Sequence, residues 1–253
     1  MEVVATANGH MLLLDGPVSI VTQVRLTDPR YVLKNALGRH KLLGIDPNPT
    51  PATNRLLDLL SGVLSLRCGP QLDYALAVDW YKSPVDGVAP KNWPNTPTGD
   101  LVHRGKYWYK AAADSARLRE CGLALVDRLV PVINQHPLLD HLDAVAAVPG
   151  HDSKVVSFGS RLADAVARRL RKPFVRCGAL AEFRPPAKSL DLADRSSMID
   201  GQFVCTERLD RQSLLIIDDV FGSGSTTAET ARALREAGAT RVASLCAVRT
   251  MRS

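Results

Sequence analysis

LLIIDDVFGSGSTTAE, residues 214–229, decides how the chain folds. Four consecutive large apolar residues make a strand covered on both faces, as in parallel sheets. Two adjacent carboxylates, Asp218 and Asp219, end the strand over 213–217, and a Gly/Ser loop follows. A helix then opens at about Thr226, because Thr226 and Glu229 stand at capping-box spacing. The helix over 226–237 leads into another apolar strand, 241–248. Strand, loop, helix and strand in one run predict a parallel sheet with helices packed on it.

The same alternation extends upstream. Leu118, Cys121, Leu125 and Leu129 share one face of a helix over 115–130, which Pro131 should end or kink. Residues 143–148 form a short apolar strand stopped by Pro149 and Gly150. Phe158, Leu162, Val166 and Leu170 recur every four residues, and Arg168, Arg169, Arg171 and Lys172 complement the negative end of that helix. Residues 178–203 are irregular. The fold class is α/β, a parallel β-sheet flanked by helices, with an additional mixed N-terminal region.

That region differs in texture. Residues 11–14 and 18–26 read as a hairpin turning at Asp15 and Gly16, residues 53–66 as a helix and residues 72–81 as a strand. Proline-rich stretches fall at 46–51 and 89–98, and the second is the expected boundary. The predicted division is 1–98, mixed α+β, and 99–253, the α/β domain.

With 253 residues, 45% of them hydrophobic and 23% charged, the composition is that of a globular chain. Its apolar runs, such as 11–14 and 214–217, fall far short of the roughly 18–20 residues of a membrane span. MEVVATANGH has neither a basic start nor a long apolar core, so no leader is expected and a cytoplasmic location is. The net charge is +6, and the first hundred residues hold nine acidic and nine basic residues, so the excess lies beyond them. A basic C-terminal region suits an anionic ligand, and equally a solvated basic face. Cys68, Cys121, Cys177, Cys205 and Cys246 are odd in number and scattered, as for free thiols in a reducing compartment.

The chemistry concentrates in the quoted segment. Its loop offers backbone N–H groups beside glycines, the hydroxyls of Ser223, Ser225, Thr226 and Thr227, and the positive end of a helix, together a cradle for a phosphate. It lacks the Walker and the dinucleotide-binding glycine patterns. Two carboxylates beside such a cradle would repel an anion unless the ligand brings hydroxyl donors or a divalent cation. Neighbours on a strand face opposite sides, so Asp218 and Asp219 should divide their roles. An acidic strand end followed by an ordinary helix cap is the plain alternative.

IIDDVFGSGST resembles the phosphoribosyl-pyrophosphate (PRPP) motif of the type I phosphoribosyltransferases, and the surrounding pattern is similar to their ComF-like branch. RGKYW at 104–108, Val148 and Pro149 at a strand end, FGSRLA at 158–163, KSL at 188–190, Arg195 and GQF at 201–203 follow in that branch's order, covering about residues 100–250. The resemblance implies a Mg2+-dependent transferase moving 5-phosphoribose from PRPP to a nitrogenous base or related acceptor, with release of pyrophosphate. It implies that Asp218 and Asp219 face the ribose hydroxyls and Mg2+, directly or through water. Gly222, Ser223, Gly224, Ser225 and Thr226 would hold the 5′-phosphate; Gly150, His151 and Lys154 would meet the pyrophosphate. Lys188 and Arg195, on a loop that closes over the site, would supply charge to the leaving group; pairing of Arg195 with Asp191 or Asp194 is the alternative, and Arg184 is read as surface. A homodimer is carried over as well.

Departures from the pattern are Phe221 where the family has a small aliphatic residue, Gly222 where it has Ser or Thr, and no N-terminal cysteine ribbon. No base-binding signature is recognisable. A second reading is therefore a non-catalytic module that senses PRPP or a nucleotide for a nucleic-acid or protein partner, and a third an effector subunit of a larger complex. Trp93, Tyr107, Trp108 and Tyr109 with Arg104, Lys106 and Lys110 fit single-stranded nucleic acid, but better a helix entry packed on a neighbouring element. No HxxxH or HExxH pattern is present.

Overall fold

A computed structural model describes residues 1–34, 39–108, 116–152, 154–181 and 199–251, the side chains at 107, 108, 117 and 118 excepted. Its elements, in chain order, are β1 (Glu2–Thr6), β2 (Gly9–Leu14), α1 (Ser19–Thr27), β3 (Val32–Lys34), β4 (His40–Gly44), α2 (Pro51–Gly62), β5 (Leu64–Leu66), β6 (Tyr74–Trp80) and α3 (Pro97–Trp108). They continue with α4 (Ala116–Gln135), β7 (Ala144–Ala147), α5 (Phe158–Leu170), β8 (Phe174–Arg176), β9 (Gly178–Ala179), β10 (Phe203–Val204), β11 (Ser213–Phe221), α6 (Ser225–Glu236) and β12 (Arg241–Arg249). No helix among the described residues is long and apolar enough to cross a membrane.

The main sheet runs β5-β6-β12-β11-β7-β8, parallel throughout except for β5 at one edge. Side-chain alternation along β11 divides two cores. Leu215 and Ile217 pack with residues of α1 to α5, whereas Leu214 and Ile216 pack with Ala231 and Leu234 of α6. Helices therefore cover both faces, which is what buried, non-alternating strands require.

The N-terminal region enters this layer directly. β5 and β6 belong to the main sheet, with β6 beside β12. The proline-rich stretch at 89–98, expected as a domain boundary, instead connects a strand of that sheet to α3, which packs on β6 and β12. Ahead of it, β1-β2-β4-β3 make a separate antiparallel sheet whose Leu12, Leu14 and Leu42 join the same apolar core.

Several sequence expectations change. The strand expected over 18–26 is helix α1, and β2 instead hairpins with β1 through Gly9. Ser19, Ile20, Gln23 and Val24 form a buried helical stripe, and its polar members are satisfied: Ser19 donates to the Leu66 carbonyl at 2.7 Å and Gln23 to the Ser19 carbonyl at 3.1 Å. The run of β-branched residues favoured a strand locally, but packing overrode it. Helix α4 does not end at Pro131 but runs through it to Gln135. Burial of Leu129, Val132 and Ile133 outweighs the one backbone bond that proline removes. The helix expected over 53–66 spans Pro51–Gly62, and β5 takes its last residues.

His136 closes the core between α1 and β6. It is fully buried, its ring stacked on Tyr74 at 4.8 Å. Nδ1 accepts from the Leu138 amide at 3.2 Å, so Nε2 carries the proton and donates to Gln23 at 3.0 Å. Burial holds its pKa down at about 4, against 6.5 when exposed, with Arg55 also lowering it and Asp140 opposing. The fold thus favours neutral imidazole, and the unfolded chain binds the proton more readily. Stability should fall as pH drops from about 6.5 towards 4, by up to about 3 kcal/mol. Urea unfolding across that range should show this slope, and His136→Gln should flatten it.

Candidate functional site

The strand β11 pairs with β7 only from Leu214↔Ala144 to Ile217↔Ala147, but with β12 as far as Phe221↔Arg249. Its last four residues therefore have one bonded neighbour and one open edge. Asp218 and Asp219 lie within the strand rather than after it, on this one-sided extension. The connection after β7 and the loop after β11 leave the same end of adjacent parallel strands, the usual position for a ligand in an open α/β sheet.

The two carboxylates are placed differently. Asp219 is buried, and the Lys106 ammonium of α3 meets Oδ2 at 2.8 Å and donates a hydrogen bond to Oδ1 at 3.0 Å. Oδ2 has the charge close by but no hydrogen bond of its own. Asp218 Oδ1 accepts from the Asp219 amide at 2.8 Å. It also lies against the first turn of α5, where a Cβ on Gly159 would come within 2.7 Å of it; only glycine leaves that carboxylate its place. Burial first, and the Asp219 charge second, push the Asp218 pKa well above the usual carboxylate range, while Lys106 opposes. Burial works against the Lys106 charge, but Asp219 and Asp218 outweigh it and raise its pKa.

The following loop is shaped by Phe221. Its ring is buried with Leu66, Ala75, Ala77 and Cys246, the two alanines of β6 making room for it. Gly224 rides on that ring at φ +82°, and a Cβ there would lie 2.6 Å from Phe221 Cζ. Helix α6 starts one residue earlier than expected, at Ser225, with Gly224 as its N-cap and no side chain capping it. The expected Thr226–Glu229 box does not form. The Glu229 carboxylate, buried, accepts from the Phe203 amide at 3.0 Å and pairs with Arg232 at 2.7 Å. Arg232 and the Phe203 amide hold Glu229 ionised against burial. At the start of α6 the Ser225 amide donates to the Ser223 hydroxyl at 3.5 Å, and the Ser223 and Ser225 hydroxyls meet at 3.0 Å. This supplies donors and positive potential for an anion.

Of the residues predicted from sequence, Asp218, Asp219, Gly222, Ser223, Gly224, Ser225 and Thr226 follow one another along the end of β11, the loop and the start of α6. Among the described residues no atom lies within 4 Å of the Cβ position of Gly222. Gly150, His151 and Lys154 lie in the connection after β7, which the Asp152 carboxylate turns by accepting the Lys154 amide at 2.8 Å. Lys188 and Arg195 lie outside the described residues, as does Lys110.

No protein-family model matches the sequence, and no curated protein does. Solved structures to which the chain is similar include adenine phosphoribosyltransferase from Leishmania tarentolae, with 10% identity, 74% of this chain and 94% of that one covered, and a TM-score of 0.39. A hypoxanthine phosphoribosyltransferase from Staphylococcus aureus gives 11%, 59%, 62% and 0.27. Adenine phosphoribosyltransferase from Rhodothermus marinus gives 14%, 77%, 85% and 0.31.

Sequence reasoning missed Lys106 as a member of the site. It stood in a basic and aromatic cluster, and nothing local showed that α3 would carry it to a carboxylate more than a hundred residues away. Of the other described members of that cluster, Arg104 pairs with Asp100 at 2.8 Å, and the Trp93 indole donates to the Val88 carbonyl at 2.8 Å. Also missed was the β5–β6 connection. Arg67 and Gln71 line an open cleft of about 570 Å3 together with Asp200, Ser223, Ser225 and Arg232.

Gly224→Ala should destabilise the chain by about 1–3 kcal/mol, from the left-handed backbone and the contact with Phe221. Adding Phe221→Leu should relieve the contact but not the backbone strain. Urea midpoints of the single and double variants, expected to show partial recovery, check the assignment.

Proposed function

We propose that the protein is a Mg2+-dependent phosphoribosyltransferase, taking PRPP as donor and a nitrogenous base or related molecule as acceptor, and releasing pyrophosphate. The observation that carries this reading is the pair Asp218 and Asp219 on the one-sided end of β11, running straight into a glycine loop and a helix with no side-chain cap. The carboxylates are acceptors for vicinal ribose hydroxyls, and the loop amides and hydroxyls at 222–226 are donors for the 5′-phosphate. The connection holding Gly150, His151 and Lys154 leaves the adjacent strand end, which suits the pyrophosphate. Lys188 and Arg195 are assigned to the leaving group on resemblance alone.

Among the described residues no three His, Cys, Asp or Glu side chains converge as a metal cage. Magnesium does not need one: it keeps several waters and binds through one or two carboxylates together with substrate phosphates. The Asp218 carboxyl fits that mode, whereas both oxygens of Asp219 already face the Lys106 ammonium. When bound, the ion would offset negative charge on the departing pyrophosphate.

The chain's own groups account for the remaining demands. Transfer builds positive charge on the ribose ring, which Asp218 and Asp219 stabilise from the hydroxyl side. Lys106 pairs with Asp219 inside the site, and the two aspartates in turn hold its ammonium charge against burial. Anchoring of the 5′-phosphate fixes C1 against the acceptor.

Pyrophosphate release from Mg-PRPP should depend on one member of a panel of purine, pyrimidine and nicotinate-like bases. The Asp218→Asn/Asp219→Asn variant should lose activity by at least about 10²-fold while keeping its circular dichroism. Unchanged turnover in that variant would overturn the reading. Saturable PRPP binding without release under any acceptor would replace it with a sensing module.

A further inference from the structure

All five cysteines are free thiols, but two of them meet in space. β9 and β10 pair antiparallel through Ala179↔Phe203 and Gly178↔Val204, and the same register continued by one residue sets Cys177 opposite Cys205. The phase of the ladder can be read from its bonds. The Leu180 amide donates to the Gln202 carbonyl at 2.9 Å, which makes that pair hydrogen-bonded. The next pair is not: the Phe203 amide donates instead to Glu229 and its carbonyl accepts from Arg232. Alternation then makes Cys177 and Cys205 a non-hydrogen-bonded pair, in which opposing Cα atoms lie about 4.5 Å apart and side chains are closest. That separation falls within the span of about 4.4–6.8 Å that a disulfide accepts.

The thiols themselves agree with this placement. Cys205 is a hydrogen-bonding neighbour of Cys177, and both pack against the apolar cluster under α6 while remaining partly exposed. The Cys205 thiol also donates to the Glu207 carbonyl at 3.8 Å. Burial first, and the Cys205 neighbour second, push the Cys177 thiol up.

We infer that Cys177 and Cys205 are a thiol–disulfide switch, oxidised by low-molecular-weight disulfides such as oxidised glutathione. The thiolate of one cysteine attacks the small disulfide and releases one small thiol; the other attacks the resulting mixed disulfide and releases the second. Two protein thiols are oxidised, one small disulfide is reduced to two thiols, and both cysteine protons end on those thiols. The bond joins two arms of the candidate site. Cys177 follows β8, which pairs with β7 and so adjoins the 149–154 connection. Cys205 follows β10, which Glu229 and Arg232 fasten to the helix that carries the glycine loop.

The full chain should be equilibrated in glutathione buffers from fully reduced to strongly oxidised, alkylated, digested and read by mass spectrometry. Two of the five thiols should become protected, with a peptide linking 177 to 205 that dithiothreitol removes. Cys205→Ser should abolish the link, Cys121→Ser should leave it, and amide exchange at Phe203 should slow in the oxidised chain. Full alkylation of both cysteines in the most oxidising buffer that keeps the chain folded would overturn the inference, as would linkage of either one to a different cysteine.

Discussion

Two carboxylates in succession, largely withdrawn from water, cannot both stay charged without a compensating cation, and the fold is arranged around that constraint. Lys106 supplies the cation for Asp219, and it arrives on α3, a helix placed by the strand and loop that precede it. Thr96 sets the start of that helix: its hydroxyl donates to the Trp80 carbonyl at 2.6 Å and accepts the Gly99 amide at 2.9 Å. β6, at whose end Trp80 lies, is held against β12. The charge balance at the end of β11 is thus set through β6, a strand from the first hundred residues. Asp218 has no such cation in contact among the described residues, which is why burial and its neighbour raise its pKa.

The second constraint is space beneath the loop. A phenylalanine at 221 fills volume that a small aliphatic residue would leave, and the loop accommodates it by passing over the ring with glycine. Ala75 and Ala77 complete the accommodation on the sheet side. The two residues that depart from the phosphoribosyltransferase pattern, Phe221 and Gly222, therefore have different consequences. One alters the floor of the loop without removing an amide from it. The other removes a hydroxyl where the Cβ position is open to a ligand.

The layered fold was legible because its signals are local and periodic. The apolar run at 214–217 and the four-residue spacing along α5 each specify their own conformation and are present as read, while the glycine loop is present but shorter, between a strand that runs to Phe221 and a helix that starts at Ser225. Readings failed where distant packing decided the outcome. The stretch 18–26 carries residues that suit a strand, yet burial of Ser19 and Gln23 with partners on β5 makes it a helix. Glu229 stood at capping distance from Thr226, but a buried carboxylate binds the best donors within reach, and Phe203 and Arg232 are better ones. Asp218 and Asp219 were identifiable from their order before the loop, whereas Lys106 was not, because no local pattern records which helix face meets which strand.

The first hundred residues resemble nothing in the motif pattern, yet they bear on the same site. β5 runs antiparallel to β6, so the connection between them leaves the N-terminal end of β6, the end of the sheet away from the loop that follows β11. From there it passes along α6, with Gly69 beside Ala228, so that Arg67 and Gln71 line the same open cleft as Ser223 and Ser225. A guanidinium and an amide can recognise an anion or the edge of a base, and the loop opposite can hold a phosphate. A ligand extending from that loop along the cleft would meet the N-terminal region. The segment of the chain that carries no family signature is where differences in what the cleft accepts would be written.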